Sequence, residues 1–149
     1  MTDTPFIPPD GPYRHRLRVY WEDTDAGGVV FYANYLKFFE RGRTEWLRAL
    51  GVSQQALRDD EGAIFVVSET AVRYLRPARL DDEIDVSVRI VEAGRASLVI
   101  DQTALHLASG ALLAEGRIRI GCVDAATFRP RRIPSLILDR LPAAALPTP

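Results

Sequence analysis

From Arg14 to Trp21 the chain alternates. Leu17, Val19 and Trp21 fall on one side and Arg16, Arg18 and Tyr20 on the other, the two-residue period of a half-buried strand. After the turn-rich run Glu22–Gly28, apolar residues recur at Tyr35, Phe39, Trp46 and Leu50, while Lys37, Arg41, Glu45 and Arg48 share another face. That spacing predicts an amphipathic helix. Asn34 either caps it or lies in its first turn, and Gly51 supplies its stop. Gly42 inside the helix costs about 1 kcal/mol relative to alanine, and close approach to another backbone would explain it. Ser53 begins a short second helix that ends near Gly62.

Alternation returns over Val66–Tyr74, Ile84–Val91, Ala96–Leu107 and Leu112–Val123, with tight turns at Ala93–Gly94 and Ser109–Gly110. Such short turns make the last three strands antiparallel neighbours, because a parallel return needs a crossover of about a dozen residues. The one long helix, between the first and second strands, has to cover the apolar face of the sheet. The expectation is an α+β fold, a five-stranded antiparallel sheet curved around one long helix.

Composition narrows this picture. A chain of 149 residues with 47% apolar residues fits one domain with a real core, expected over residues 13–140. Pro5, Pro8, Pro9 and Pro12 mark residues 1–12 as a flexible extension, and proline and alanine mark 141–149 as another. The net charge of −1, from 19 basic and 20 acidic side chains, gives no positive field to draw nucleic acid or anionic membranes. Any anionic ligand must meet a local basic patch. Cys122 has no partner for a disulfide, and with only His15 and His106 beside it there is no zinc ligand set. These features point to a reducing cytoplasm and no metal. The start of the chain lacks the basic and apolar run of a signal peptide, and no segment reaches membrane-spanning length.

Candidate chemistry concentrates in Glu22-Asp23-Thr24-Asp25-Ala26-Gly27-Gly28. Acid-and-glycine links are ordinarily only polar turns. The residues that follow, Val29, Val30, Phe31, Tyr32 and Tyr35, are too apolar for an exposed loop and suggest a greasy slot suited to an acyl group. Backbone N–H groups at the helix start, near Tyr32 and Ala33, would be unpaired and able to hold a thioester oxygen as it gains charge. Asp25 is placed to attack the carbonyl carbon or to deprotonate a water, since a thiolate leaves with little acid help. His15 and His106 read as structural or surface residues, Cys122 as a buried small hydrophobe. Neither a GxSxG elbow nor a Gly-rich phosphate loop is present.

The run Tyr20-Trp21-Glu22-Asp23-Thr24-Asp25-Ala26-Gly27-Gly28-Val29-Val30-Phe31-Tyr32-Ala33-Asn34-Tyr35, followed by Phe39-Glu40-Arg41-Gly42-Arg43-Thr44-Glu45, resembles the Tol-Pal-associated (YbgC-type) and 4-hydroxybenzoyl-CoA thioesterases. The resemblance continues through Phe65-Val66-Val67, Tyr74-Leu75-Arg76-Pro77-Ala78-Arg79-Leu80-Asp81-Asp82 and Cys122-Val123-Asp124, covering nearly all of residues 14–133. It implies a hot-dog fold working as a homodimer or homotetramer, with acyl-CoA as substrate and no cofactor other than the CoA of that substrate. It also implies that Asp25 is catalytic, that the Tyr32 amide polarises the carbonyl, and that Gly28, Val30 and Ala33 line the acyl site. Asp23 becomes a supporting acid. Tyr32 stands where the YbgC-type branch commonly has histidine and the hydroxybenzoyl branch has tyrosine.

Glu40 matches an acid near the distal end of the acyl group in the hydroxybenzoyl branch, although a solvated glutamate paired with Arg43 at i,i+3 would equally explain it. Arg95 and Ser97 resemble the family's nucleotide-contact segment and are the candidates for CoA phosphates. Arg73, Arg76 and Arg79 are weaker ones, all open to the plainer reading of solvated arginines. Hot-dog dehydratases use a histidine in the active loop, which this loop lacks. A non-catalytic acyl-CoA-binding or Tol-Pal-associated scaffold on the same fold is the alternative function, and the carboxyl of Asp25 is what separates it from an enzyme.

Overall fold

A computed structural model of the chain describes residues 12–141. The extension over 1–12 and the tail over 141–149 therefore lie outside the described residues, apart from Pro12 and Leu141. The alternating segment forms β1, Tyr13–Arg18, but the strand ends before the alternation does. Trp21–Asp23 coils into a 3₁₀ turn, in which successive side chains step round by about a third of a circle rather than a half. Trp21 is consequently 82% exposed instead of sharing the buried side with Val19, which is fully enclosed.

Helix α1, Asn34–Ala49, buries Tyr35, Phe38, Phe39, Gly42, Trp46 and Leu47. This stripe is wider than the expected one, gaining Phe38 and Leu47, while Leu50 is only half-buried. Gly51 stops the helix at φ +87°. Its N–H donates to Arg48 and that of Val52 to Leu47, the pair of bonds by which a left-handed glycine closes a helix. Ser53 caps α2, Gln54–Ala56, accepting from the Ala56 N–H, and a π turn over Leu57–Glu61 runs on to Gly62 at φ +67°.

The four remaining strands are β2 Ala63–Tyr74, β3 Glu83–Ala93, β4 Ser97–His106 and β5 Leu112–Asp124. With β1 they make one five-stranded sheet in the order β1-β3-β4-β5-β2, every pair antiparallel. Helix α1 lies over β1, β3 and β4, so the hot-dog arrangement implied by the resemblance is the one observed. Phe38 and Phe39 are fully buried with Ile84, Val86, Leu98 and Ile100, each such side chain stabilising the fold by about 1.5–3 kcal/mol. A last helical turn, α3, Ser135–Leu138, packs Ile137 into the same core.

Alternation along β2 is broken once. A bulge between Val67 and Glu69 leaves Ser68 out of register, and its hydroxyl donates to the Arg119 carbonyl. Phe65 and Val67 pair opposite Cys122 and Ile120, whereas beyond the bulge Thr70, Val72 and Tyr74 pair opposite Ile118, Gly116 and Ala114. One side of the strand therefore carries odd-numbered residues before the bulge and even-numbered residues after it.

Where α1 crosses the sheet, Gly42 is buried, and a Cβ there would stand 2.8 Å from Val86 Cγ1 and 3.3 Å from Gln102 Nε2. The close approach expected of this glycine is thus to side chains of β3 and β4 rather than to a backbone. Gln102, fully buried, donates to the Phe39 carbonyl at 2.9 Å and accepts from Arg43 at 2.9 Å. Replacing Gly42 with alanine gains about 1 kcal/mol in helix propensity but overpacks this crossing, at a cost of about 1–3 kcal/mol. Because Val86 sits on a strand that cannot retreat, Gly42→Ala is expected to be net destabilising, read as a lower urea midpoint. Gln102→Leu removes the acceptor of a half-buried guanidinium and is expected to lower stability by about 2–3 kcal/mol in the same measurement.

Candidate active site

The site grows from the link between β1 and α1. Asp23 is 3% exposed. Its Oδ2 accepts the Tyr20 N–H at 2.8 Å, its Oδ1 accepts Asn34 Nδ2 at 2.6 Å, and its carbonyl accepts the Phe31 N–H at 2.9 Å. One acid thereby ties the 3₁₀ turn to the first residue of the helix. Asn34 is that first residue, buried and bound to Asp23. It does not cap the helix, and Ala33, which precedes it, offers no side-chain cap.

Between these anchors the chain makes a small hairpin. Thr24 bridges Val30, the Asp25 N–H donates to the Val29 carbonyl at 2.9 Å, and the Gly28 N–H to the Asp25 carbonyl at 3.0 Å. Gly28 turns the chain at φ +80°, a conformation glycine adopts without steric cost. Asp25 Oδ1 accepts the Gly27 N–H at 2.8 Å, which fixes the carboxyl on the turn, while Oδ2 has no hydrogen-bond partner among the described residues. Asp25 is exposed at the tip of this hairpin, so within one chain the buried acid of the link is Asp23.

An open groove of about 280 Å³ runs beside the helix start, lined by Val30, Tyr32, Tyr35, Tyr74, Leu75, Arg76 and Pro77. Val30 and Tyr35 are buried, whereas Phe31 and Tyr32 are exposed. Tyr74 meets Tyr32 at 6.0 Å and Tyr35 at 5.5 Å between ring centres, both edge to face, a favourable arrangement for aromatic rings. The Tyr35 hydroxyl accepts the Ala78 N–H at 3.3 Å, and the Ala78 carbonyl accepts the Val30 N–H at 2.8 Å. Burial pushes the Tyr35 phenol above its ordinary pKa, with smaller contributions from Tyr74 and Asp82.

The N–H groups of Tyr32 and Ala33 find no acceptor among the described residues, while Asn34, Tyr35 and Leu36 donate back to Phe31, Tyr32 and Ala33. Two donors at the positive end of α1 are thus left without an acceptor among the described residues. Gly28, Val30, Tyr32 and Ala33 all lie on this link. Of the wall formed by Tyr74–Pro77 the sequence pattern marks only Arg76, as a weaker phosphate candidate. The one local signal of the wall is a proline closing a strand that ends in an aromatic residue.

Glu40 lies farther along the helix on an exposed face. The ion pair with Arg43 that would explain it does not form, since Arg43 turns inward to the buried Gln102 carbonyl. Burial lowers the pKa of Arg43, and the charge of Glu40 opposes that shift. Among the described residues the i,i+3 helix pair is Glu45 with Arg48, at 2.5 Å.

Arg95 and Ser97 stand apart from the groove residues named above, at the turn into β4. The Gly94 N–H donates to the Ser97 carbonyl, and the Ile133 N–H donates to that of Arg95 at 2.8 Å. This bond brings Arg132, which precedes Ile133, beside Arg95, whereas the Arg131 guanidinium donates to the Glu61 carbonyl at the start of β2. Arg73 pairs with Glu115 at 3.1 Å, Arg76 lines the groove, and Arg79 bridges Val29. His106 has an acid partner remote in sequence, its Nε2 lying 3.4 Å from Asp82 Oδ1. Among the described residues no group of three or more His, Cys, Asp or Glu side chains could hold a metal ion, and no helix is long and apolar enough to cross a membrane.

Comparison with known proteins agrees with this geometry. The thioesterase-like superfamily matches residues 19–141. The acyl-CoA thioester hydrolase YbgC of Escherichia coli is 44% identical over 126 residues, 85% of this chain and 92% of that protein. The acyl-CoA thioesterase YbgC of Haemophilus influenzae is 38% identical, covering 84% of this chain and 90% of its own length. Among solved structures, a probable thioesterase from Bartonella henselae superposes with a TM-score of 0.79 at 35% identity, over 83% of this chain and 100% of that one. The chain belongs to the thioesterase-like superfamily, on its YbgC branch, and is a thioester hydrolase with the hot-dog fold.

Proposed function

We propose that the protein hydrolyses the thioester of a small or medium acyl-CoA, with Asp25 as nucleophile or general base and the Tyr32 and Ala33 amides as the oxyanion site. The observation that carries this reading is the pair of unpaired N–H groups at the start of α1, opening beside the tyrosine groove and following directly on the Asp25 hairpin. A carbonyl oxygen held there gains charge against fixed dipoles that need no rearrangement. The acyl group lies along Gly28, Val30 and Ala33, with Glu40 farther out on the helix. Water adds to the acyl carbon, either directly, with Asp25 taking its proton, or by hydrolysing an anhydride first formed on Asp25. The carbon–sulfur bond breaks, and CoA leaves as the thiolate.

Arg95 and Ser97 take the CoA phosphates, an assignment supported by Arg132, which the Ile133–Arg95 backbone bond brings beside them. No cofactor takes part beyond the CoA of the substrate. The working unit is a homodimer or homotetramer. In support, β2 is a 12-residue edge strand with Val67, Tyr74 and Leu75 exposed, and a long open edge invites a second chain. The likeness to YbgC proteins supports a cytoplasmic location and an association with the Tol-Pal machinery, and the single buried thiol of Cys122 suits a reducing compartment.

Thiol release from acyl-CoAs of graded length tests the assignment. Asp25→Asn is expected to lower kcat by about 10²–10⁴-fold with unchanged folding, and wild-type turnover would remove Asp25 from the mechanism. Single turnover in ¹⁸O-water tests the anhydride role, because an anhydride opened by water at the Asp25 carboxyl carbon delivers an unlabelled Asp25 oxygen to the product and leaves ¹⁸O on Asp25, which direct attack by water never does. By contrast, Asp23→Ala is expected to lower stability by about 1–3 kcal/mol, since it strands the buried Asn34 amide. Arg95→Ala should raise KM for acyl-CoA several-fold while leaving the rate on an acyl-pantetheine, which lacks the nucleotide, unchanged.

A further inference from the structure

We infer that His106 is a positioning residue for thioester hydrolysis, acting through Asp82 on the loop that walls the acyl groove. The inference rests on the site reading given above. At the end of β4 the imidazole Nδ1 lies 2.7 Å from the Ser109 hydroxyl and accepts the Ser109 N–H at 3.2 Å. A ring nitrogen facing a backbone donor is an acceptor, so in the neutral ring the proton sits on Nε2, which lies 3.4 Å from Asp82 Oδ1. The turn thus selects the tautomer whose N–H is on the side of Asp82.

Asp82 passes this restraint on to the groove. Its Oδ2 accepts the Arg79 N–H at 2.8 Å and its carbonyl accepts the Val19 N–H at 2.9 Å. Asp81, before it, is held at φ +70°, with its carbonyl accepting from Arg18 at 2.8 Å. Arg79 bridges Val29, and Ala78 binds both the Val30 N–H and the Tyr35 hydroxyl. These contacts reach the hairpin of Asp25 and the floor of the groove. Asp82 also acts on Tyr35 directly through its charge.

Other charges around the imidazole are already engaged. Arg18 on β1 pairs with Glu83 at 2.5 Å, and the Glu83 carbonyl accepts the Leu107 N–H at 2.9 Å. Ile84 is the residue opposite His106 on β3. The Arg79 side chain is exposed, leaving Asp82 as the carboxyl that faces the ring.

The test measures kcat and KM for acyl-CoA thiol release by the full chain at about pH 8. His106→Ala is expected to lower kcat/KM about tenfold, as a small misplacement of reacting groups does. Glutamine carries a donor and an acceptor at nearly the imidazole spacing, so His106→Gln is expected to stay within about twofold of wild type. Unchanged kcat/KM in His106→Ala overturns the inference. So does a His106→Gln variant as slow as His106→Ala, because restoring the donor and acceptor would then restore nothing. Asp25→Asn, assayed in parallel, separates the failures. Full turnover in that variant sinks the site reading, whereas an inactive Asp25→Asn with unchanged His106 variants sinks only the role of His106.

Discussion

The buried carboxyl of Asp23 is the interaction on which the site depends. Enclosing such a group is costly unless its oxygens are bonded, and here every bond it accepts joins segments that would otherwise drift apart: the exit of β1, the end of the hairpin and the first residue of α1. With Asn34 committed to Asp23, the helix begins without a side-chain cap. The donors that a serine or aspartate cap would take, the N–H groups of Tyr35 and Leu36, turn back to the Tyr32 and Ala33 carbonyls instead. The N–H groups of Tyr32 and Ala33 themselves, just ahead of that turn, are the ones without an acceptor among the described residues.

Helix α1 inherits its direction from that anchor and its depth from the sheet. Gly42 lets the helix descend onto β3 and β4, and Gln102 meets the Phe39 carbonyl and the Arg43 guanidinium where it lands. Polar groups in a low-dielectric core specify one arrangement when fully satisfied, and no buried side-chain nitrogen or oxygen among the described residues lacks a partner. A helix held at fixed depth presents its first turn at a fixed height above the groove.

Periodicity made the architecture legible, because strands and a long helix advertise themselves through buried faces. The order of the strands was not, since β2 joins the sheet beside β5 and no spacing along the chain encodes that pairing. Trp21 misled because a 3₁₀ turn replaces the strand just where the apolar residue falls. Arg43 misled in another way: local spacing offered Glu40, and the buried amide of Gln102, remote in sequence, took the guanidinium. The Asp25 turn and the helix-start amides could be read because acid, glycines and aromatics are consecutive. The wall from Tyr74 to Pro77, the place of Arg132 beside Arg95 and the partner of His106 could not, because each is brought in by tertiary contacts from distant parts of the chain.

The irregularity at Ser68 decides more than the shape of an edge. Were the bulge straightened so that Ser68 entered the ladder, every side chain of β2 beyond it would be inverted. Tyr74 would then leave its place against Tyr32 and Tyr35, and Arg73 would take its side of the strand. The chemical character of the crevice, aromatic instead of cationic, is set by one residue that stands outside the ladder of a strand bearing none of the reacting groups.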